Sequence, residues 1–472
     1  HYLGKRIQNE LISIMGNAVQ KNIVHLIKES KYFAVILDCT PDISHQEQMS
    51  ITIRYVSDGT FPKTPAGVYE QFIKFLDVKS STGENLYNVL KKELETLGLD
   101  LNNTRGQGYD NGANMRGKES GVRARLLQEN PRAFTPCACH NYNLVLGDMA
   151  KTCPDTMTFF VTLQQTSDDA QARSEAESLA HQIKSYKFLV SLVLWHDLLF
   201  QVNFVSKELQ SNTVDLATGI SSFEKLLDWL KNYRETGFEQ VLVGANELAN
   251  DLEVAQEFQI QHLRKRKRHF NYESADESIT DPKKAYQVNC FNQVLDKAMQ
   301  SLEPHFKQLK KHIDLFGFLR KFQEMSKEEL RKHAADLEIA LTHVKLIEKN
   351  KLVKSVKLAD IEGHMLVEEI DALKPILPSS LFGKPLKILE LLTLNERATA
   401  FPNFFIALRI FLTIPVTVAS GERSFSKLKL IKTYLRSNML QESLALLSIE
   451  CDETKNLNFD SILKEFAEQK AR

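Results

Sequence analysis

Proline, glycine and cysteine are all sparse in this chain, and each scarcity removes a class of protein. Thirteen prolines and 19 glycines in 472 residues are too few for a disordered or low-complexity chain. The six cysteines (Cys39, Cys137, Cys139, Cys153, Cys290 and Cys451) show no framework spacing, so free thiols in a reducing compartment are expected rather than a disulfide scaffold. Neither charge sign is in excess, with 60 Lys and Arg against 60 Asp and Glu; a basic groove can still sit beside acidic faces. The most apolar stretch, Phe188 to Val205, is broken by His196, Asp197, Gln201 and Asn203, which a bilayer-spanning helix rarely tolerates, so no membrane span is expected. The chain opens on His1 without a charged-then-apolar leader, as expected of a piece of a longer polypeptide. P-loop, Rossmann, His-Glu-x-x-His and Gly-x-Ser-x-Gly patterns are all missing, and no small-molecule cofactor is expected. What is present is apolar material: 43% of residues are hydrophobic, enough for a large core without disulfide or metal staples. At roughly 150 residues per domain the length suggests two to four units.

The first 150 or so residues mix strand and helix signals. A helical opening from Gly4 to Ser30 precedes the apolar run Phe33 to Leu37, which ends at Asp38; Met49 to Val56 and Val68 to Leu76 then repeat a β pattern. Thr82-Gly-Glu84 opens a helix to Leu97, Thr104 to Tyr109 reads as a short strand ending at Asp110, Gly117 to Gln128 as a helix, and Phe134 to Cys139 as a fifth strand. The order is β-β-β-α-β-α-β. From Cys153 to Asn395 a 3.6-residue period takes over, as in Phe223, Leu226, Leu227, Trp229 and Leu230, and this middle is expected to be helical. Helices resume after Pro402, over Phe404 to Leu412, Ser424 to Tyr434 and Glu442 to Glu450. Three parts follow: 1–152, 153–395 and 396–472.

Three carboxylates stand out by position. Asp38 and Asp110 end the first and fourth strands, and Glu422 opens a late helix in Ser420-Gly-Glu-Arg-Ser-Phe-Ser426. The first and fourth strands of such a sheet can be neighbours, so the two aspartates can meet and the glutamate can arrive from a helix packed beside them. Three acids at close range repel and raise one another's pKa, a cost that divalent cations remove; Mg²⁺ or Mn²⁺ prefers such oxygen ligands. Two cations about 4 Å apart can drive phosphoryl transfer. Taken singly, each acid also fits a turn or a first helical turn.

The stretches Ile36-Leu-Asp-Cys-Thr40, Gly108-Tyr-Asp-Asn-Gly-Ala-Asn-Met115, Cys137-Ala-Cys-His-Asn-Tyr-Asn-Leu144 and Ser420 to Ser426 resemble the hAT superfamily of DNA transposases. Within it they are most similar to the TTF-type and zinc-finger MYM-type transposase-derived branch. The resemblance runs over nearly the whole chain and implies an α/β, RNase H-like catalytic core interrupted by a large all-helical insertion, with C-terminal helices completing the core and carrying a dimerisation region. It assigns Asp38, Asp110 and Glu422 as catalytic acids holding two Mg²⁺ or Mn²⁺ ions, and Cys137 and His140 as a Cys-x-x-His motif holding DNA near the cleavage point. It implies a nuclear protein whose partners are DNA and further copies of itself.

Other readings stay open beside these. Cys137, Cys139 and His140 also suit small buried thiols and a core histidine, and zinc is not expected without a second ligand pair. The run Arg264-Lys265-Arg266-Lys267-Arg268 is a solvated loop, a DNA-phosphate contact or a nuclear signal, and the acidic residues that follow weaken the DNA reading. Trp195 and Trp229 lie in apolar helical contexts and read as core. The stripes Phe404, Phe405, Leu408, Phe411 and Leu412, and Leu444 to Ile449, suit either an internal core or a subunit interface. One departure from the family pattern is the lack of its Arg-Trp pair between Phe160 and Ser174. A stacking Trp there contributes roughly 1–3 kcal/mol per base, and its loss points to an inactive copy, a shortened gene model or a domesticated protein, the last a non-catalytic, DNA-associated regulator that still dimerises.

Overall fold

A computed structural model describes residues 5–41, 47–60, 64–109, 112–117, 119–135, 149–159, 185–209, 216–258, 281–349, 352–394, 397–431 and 459–470. In chain order the elements are α1 (Lys5–Ser30), β1 (Phe33–Pro41), β2 (Glu47–Ser57), β3 (Gly67–Asp77), α2 (Gly83–Leu97), β4 (Thr104–Tyr109), α3 (Ala113–Arg116) and α4 (Val122–Glu129). The middle holds α5 (Tyr186–Leu209), α6 (Leu216–Asp251), α7 (Pro282–Tyr286), a π-helical turn (Gln287–Asn292), α8 (Gln293–Phe316), α9 (Phe318–Lys321) and α10 (Lys327–Ala340). Then come β5 (Thr342–Lys349), β6 (Leu352–Ala359), α11 (Gly363–Leu373), α12 (Pro385–Leu394), α13 (Pro402–Thr413), α14 (Ala419–Ile431) and α15 (Phe459–Lys470). The chain forms two compact units, one of residues 1–140, 210–219 and 308–472, the other of 141–209 and 220–307.

The first unit is built on a four-stranded mixed sheet in the order β3-β2-β1-β4. β1 pairs antiparallel with β2 from Phe33↔Tyr55 to Pro41↔Glu47, β2 antiparallel with β3, and β1 parallel with β4 up to Leu37↔Tyr109. Alternation along β1 and β2 gives the sheet two unlike faces. Phe33, Val35, Leu37, Met49, Ile51, Ile53 and Tyr55 form one core with Val19, Ile23 and Ile27 of α1 and Leu86, Leu90 and Leu94 of α2. Each buried side chain of this kind contributes roughly 1.5–3 kcal/mol. The opposite face carries Ala34, Ile36 and Asp38 beside Ser50, Thr52 and Arg54, and the C-terminal helices α13 and α14 pack there. α2 is delimited as the sequence suggests: Thr82 caps its first turn through Asn85 N, and Gly98, at φ +67°, ends it.

Four sequence expectations are modified. β1 does not stop at Asp38; Cys39, Thr40 and Pro41 continue its ladder opposite Met49, Gln48 and Glu47. The helix expected from Gly117 begins at Val122, because Gly117 and Gly121 close a tight turn first (Gly121 N to Gly117 O, 3.3 Å). The fifth strand is, among the described residues, a single parallel bridge of Phe134 to Gly106, and 136–139 lie outside them. The stretch expected to be wholly helical contains the β5–β6 hairpin, in register from Thr342↔Ala359 to Lys349↔Leu352. Its residues, Val344-Lys-Leu-Ile347 and Val353-Lys-Ser-Val-Lys-Leu358, do not alternate cleanly, and Lys345, Lys349, Lys354 and Lys357 fall at spacings that mimic an amphipathic helix.

The second unit is helical among its described residues. α5 is long and apolar enough to cross a membrane by length and composition alone. It buries Leu189, Val190, Leu194, Trp195 and Leu198, and its polar groups are met from α6: Tyr186 OH donates to Asn246 Oδ1 (2.6 Å), Asp197 Oδ2 accepts from Tyr233 OH (2.8 Å) and Glu208 Oε2 from Ser222 Oγ (2.7 Å). Trp229 stacks on Tyr233 at 4.5 Å, so both tryptophans belong to the packing.

Candidate functional site

The site is built where the chain returns to the sheet after hundreds of residues. Asp38 is 7% exposed on the polar face of β1 and pairs across to Ser50. Against it lies the first turn of α14: a Cβ placed on Gly421 would be 2.9 Å from Asp38 Cβ and 3.6 Å from Ser50 Oγ. Only a residue without a side chain fits there. Two more glycines make the approach possible. In β4, a Cβ on Gly106 would meet Pro415 Cδ at 2.6 Å and Ala34 Cβ at 2.8 Å, and one on Gly108 would meet Val418 Cγ1 at 3.1 Å. The bare backbone of β4 thus seats the segment Ile414 to Val418, and that segment delivers α14 onto β1. Thr417 Oγ1 accepts from Ala419 N (3.0 Å), and Ser424 Oγ donates to Gly421 O (2.6 Å), fixing the first turn.

Of the three predicted acids, Asp38 is described in full. Glu422 directly follows Gly421 in α14, and its side chain lies outside the described residues, as does Asp110. Tyr109, immediately before Asp110, pairs with Leu37, immediately before Asp38, so the neighbouring of the first and fourth strands holds. Among the described residues no group of three His, Cys, Asp or Glu side chains could hold a metal. The donors expected at this corner are carboxylate oxygens, which suit Mg²⁺ or Mn²⁺, and Ser420 Oγ is buried beside Gly421 without a hydrogen-bond partner. Cys137 and His140, and Arg264, Lys265 and Arg266, also lie outside the described residues.

Sequence reasoning missed the charges that hold this corner. Arg54, on the same face of β2 as Ser50, donates from Nη1 to Glu70 Oε1 of β3 (2.7 Å) and from Nε to Leu412 O at the end of α13 (3.1 Å). Both members of the ion pair are at most 2% exposed, and Arg423, next to Glu422, reaches the other Glu70 oxygen at 3.9 Å. The signal was available: Ser50, Thr52 and Arg54 are polar at every second position of an otherwise apolar strand.

A second buried charge cluster fastens the far ends of β1 and β4. Arg105 grips Asp360 in two-pronged fashion (Nε to Oδ2, 2.8 Å; Nη2 to Oδ1, 2.7 Å), Arg132 adds a contact at 3.2 Å, and Tyr32 OH donates to the same carboxylate at 3.4 Å. Burial and the neighbouring Asp360 push the Tyr32 phenol up to about 12, while burial and the Arg105 charge hold Arg132 below the usual guanidinium range. Asp360 directly follows β6, so the hairpin ends in the residue that locks this end of the sheet. His312 of α8 stands edge-on to Phe134 at 5.7 Å, and burial together with Arg123 lowers it to about 4.

The first unit is thus a four-stranded mixed sheet with a late helix folded back against its first strand. Residues 1–121 match the ZMYM1/FAM200 RNase-like domain, and residues 365–455 match the hAT family C-terminal dimerisation region. In both stretches the chain is similar to hAT-related, transposase-derived proteins. Asp38 lies in the first matched segment and Gly421 in the second, so their close approach joins the two. The human "52 kDa repressor of the inhibitor of the protein kinase" is 20% identical over 538 aligned positions, covering 97% of this chain and 66% of that protein. Its mouse counterpart of the same name is 21% identical over 539 positions, covering 97% and 67%. The chain therefore spans about two thirds of the length of these curated relatives.

Proposed function

We propose that the chain is a hAT-type transposase core that carries out divalent-cation-dependent phosphoryl transfer on DNA in the nucleus, as a dimer assembled through residues 365–455. The reading takes the core to be RNase H-like and interrupted by a helical insertion. The observation that carries it is the 2.9 Å approach of the Gly421 position to Asp38, which sets the backbone of Glu422 beside the first aspartate. Asp38, Asp110 and Glu422 would hold two Mg²⁺ or Mn²⁺ ions. When bound, such ions offset phosphate charge and activate the attacking oxygen. The chain's own work is positional. The β1 ladder fixes Asp38, the Gly106 and Gly108 seat fixes the entry to α14, and the Arg54–Glu70 pair ties β2, β3 and α13 together behind the acids. Cys137 and His140 would hold DNA close to the cleavage point, and Arg264, Lys265 and Arg266 would contact phosphates.

A nicking assay on DNA carrying matched terminal repeats, comparing the wild type with Asp38→Asn and Glu422→Gln, tests the reading. Mn²⁺-dependent nicking lost in both variants supports it; equal activity or equal inactivity of all three proteins removes the catalytic assignment. A second reading has its own support: both relatives are named repressors, and the Arg-Trp pair of the family is missing here. In that case the chain is a non-catalytic, dimeric, DNA-associated regulator. A dimer by light scattering that retains DNA and never nicks it favours this reading; a strict monomer counts against both.

A further inference from the structure

The second unit contains a buried polar network that phosphoryl transfer does not use. Cys153 and Cys290, 4% and 1% exposed, flank the hydroxyl of Thr156, whose Oγ1 lies 2.9 Å from Cys153 Sγ and 3.7 Å from Cys290 Sγ. One hydroxyl thus lies within reach of both sulfurs, which brings thiols from distant stretches of chain to the same spot. Both are free. Cys290 sits in the π-helical turn Gln287–Asn292, a widened turn that is rare in proteins and frequent at functional positions. The hydroxyl of Tyr286, one residue before that turn, meets Ser191 Oγ at 2.8 Å and closes the network on the other side. The neighbouring Cys290 and the contacts with Thr156 draw the Cys153 thiol down from its ordinary range, whereas Cys153 and burial push Cys290 up. The two sulfurs are thus unlike, the lower suited to attack and the higher to resolve.

We propose that Cys153 and Cys290 form a peroxide-sensitive modification site that closes to a reversible disulfide. Cys153 gives its proton to solvent, its thiolate attacks one oxygen of hydrogen peroxide, the O–O bond breaks, and the hydroxide that leaves takes up that released proton to become water; Cys153 becomes a sulfenic acid. The Cys290 sulfur then attacks the Cys153 sulfur, and the displaced hydroxide departs as water with the Cys290 proton. In sum, two thiols and one peroxide give a disulfide and two waters. A small oxidant is required because both sulfurs are buried, and a small dithiol such as dithiothreitol reverses the step by exchange. The bond would tie helical residues 154–159 to the start of α8 and remove chain entropy from the unfolded second unit.

The full-length chain is treated with hydrogen peroxide, its remaining thiols are alkylated after unfolding, and peptides are mapped by mass spectrometry without reductant. The expected product is a linked pair containing Cys153 and Cys290, about 2 Da lighter than the sum of its parts, which dithiothreitol separates. Slower hydrogen exchange in residues 154–159 and α8 should accompany it. Cys153→Ser and Cys290→Ser each abolish the linked pair, while Cys39→Ser keeps it. Should a serine variant fail to fold, the wild-type map alone decides. Recovery of both residues as alkylated thiols, sulfinic acid at Cys153 with Cys290 still a thiol, or linkage of either to another cysteine overturns the proposal.

Discussion

Replacing Gly421 with alanine gives a test in which two physical effects have opposite signs. In an unobstructed helix, Gly→Ala stabilises by up to about 1 kcal/mol. Here the added Cβ would stand 2.9 Å from Asp38 Cβ, against the roughly 3.5–4.0 Å of a normal carbon contact. Either α14 or β1 must therefore yield by more than half an ångström, at a cost of about 1–3 kcal/mol for overpacking. The net expectation for Gly421→Ala is a loss of up to about 2 kcal/mol. In an Asp38→Gly background the obstructing Cβ is gone, and the same change should become neutral or stabilising. The coupling energy of this double-mutant cycle is therefore about 1–3 kcal/mol. Both tryptophans lie in the other unit, so native-state hydrogen exchange at the β1 amides is the suitable readout of local opening. Coupling below about 0.5 kcal/mol would mean that α14 is not seated on Asp38, and the proposed site would fall with it.

Further outcomes follow from the same packing. Asp360→Asn leaves Arg105 and Arg132 buried without their counter-charge and should cost about 3–5 kcal/mol in urea unfolding; a loss under 1 kcal/mol would show that the cluster is solvated. Gly106→Val should destabilise the sheet unit by more than Gly108→Ala, because its first added carbon meets Pro415 and Ala34 at 2.6 and 2.8 Å rather than Val418 at 3.1 Å; the reverse order in thermal melts would refute the seating of residues 414–418. His312 is held neutral when folded, with its pKa lowered to about 4 from 6.5. Between those values the unfolded chain binds the proton and the folded chain does not, so its contribution is complete above pH 6.5 and disappears as pH falls towards 4. The full effect is at most about 3 kcal/mol, less because part of the ring meets solvent. His312→Gln should flatten the stability–pH slope in that window, and an unchanged slope would contradict the assignment.

Much of the sheet was readable because its signals are local. The alternation in β1 to β3 and the Thr82 cap of α2 depend on residues close in sequence, and the elements stand within a few residues of where those patterns put them. The tertiary close approach was not legible. Gly106, Gly108 and Gly421 read as weak points of a strand and a helix, and their purpose emerges only when segments hundreds of residues apart are brought together. Asp360 was unreadable for a related reason: a single aspartate after a lysine-rich stretch looks solvated until Arg105 and Arg132 converge on it. The β5–β6 hairpin was missed because its lysines, mostly three or four positions apart, satisfy a helical pattern better than a strand. The acids were singled out by motif, and the glycine next to Glu422 ties that motif to Asp38 in space.

The most direct measurement is a Mn²⁺ titration followed by electron paramagnetic resonance on the wild type, Asp38→Asn, Glu422→Gln and the double variant. If the acids share one pocket, the wild type binds Mn²⁺, each single change weakens binding at least about tenfold, and the double variant is no worse than the weaker single one. Wild-type binding retained in Glu422→Gln, or losses that simply add in the double variant, would place the two carboxylates in separate environments and contradict the account.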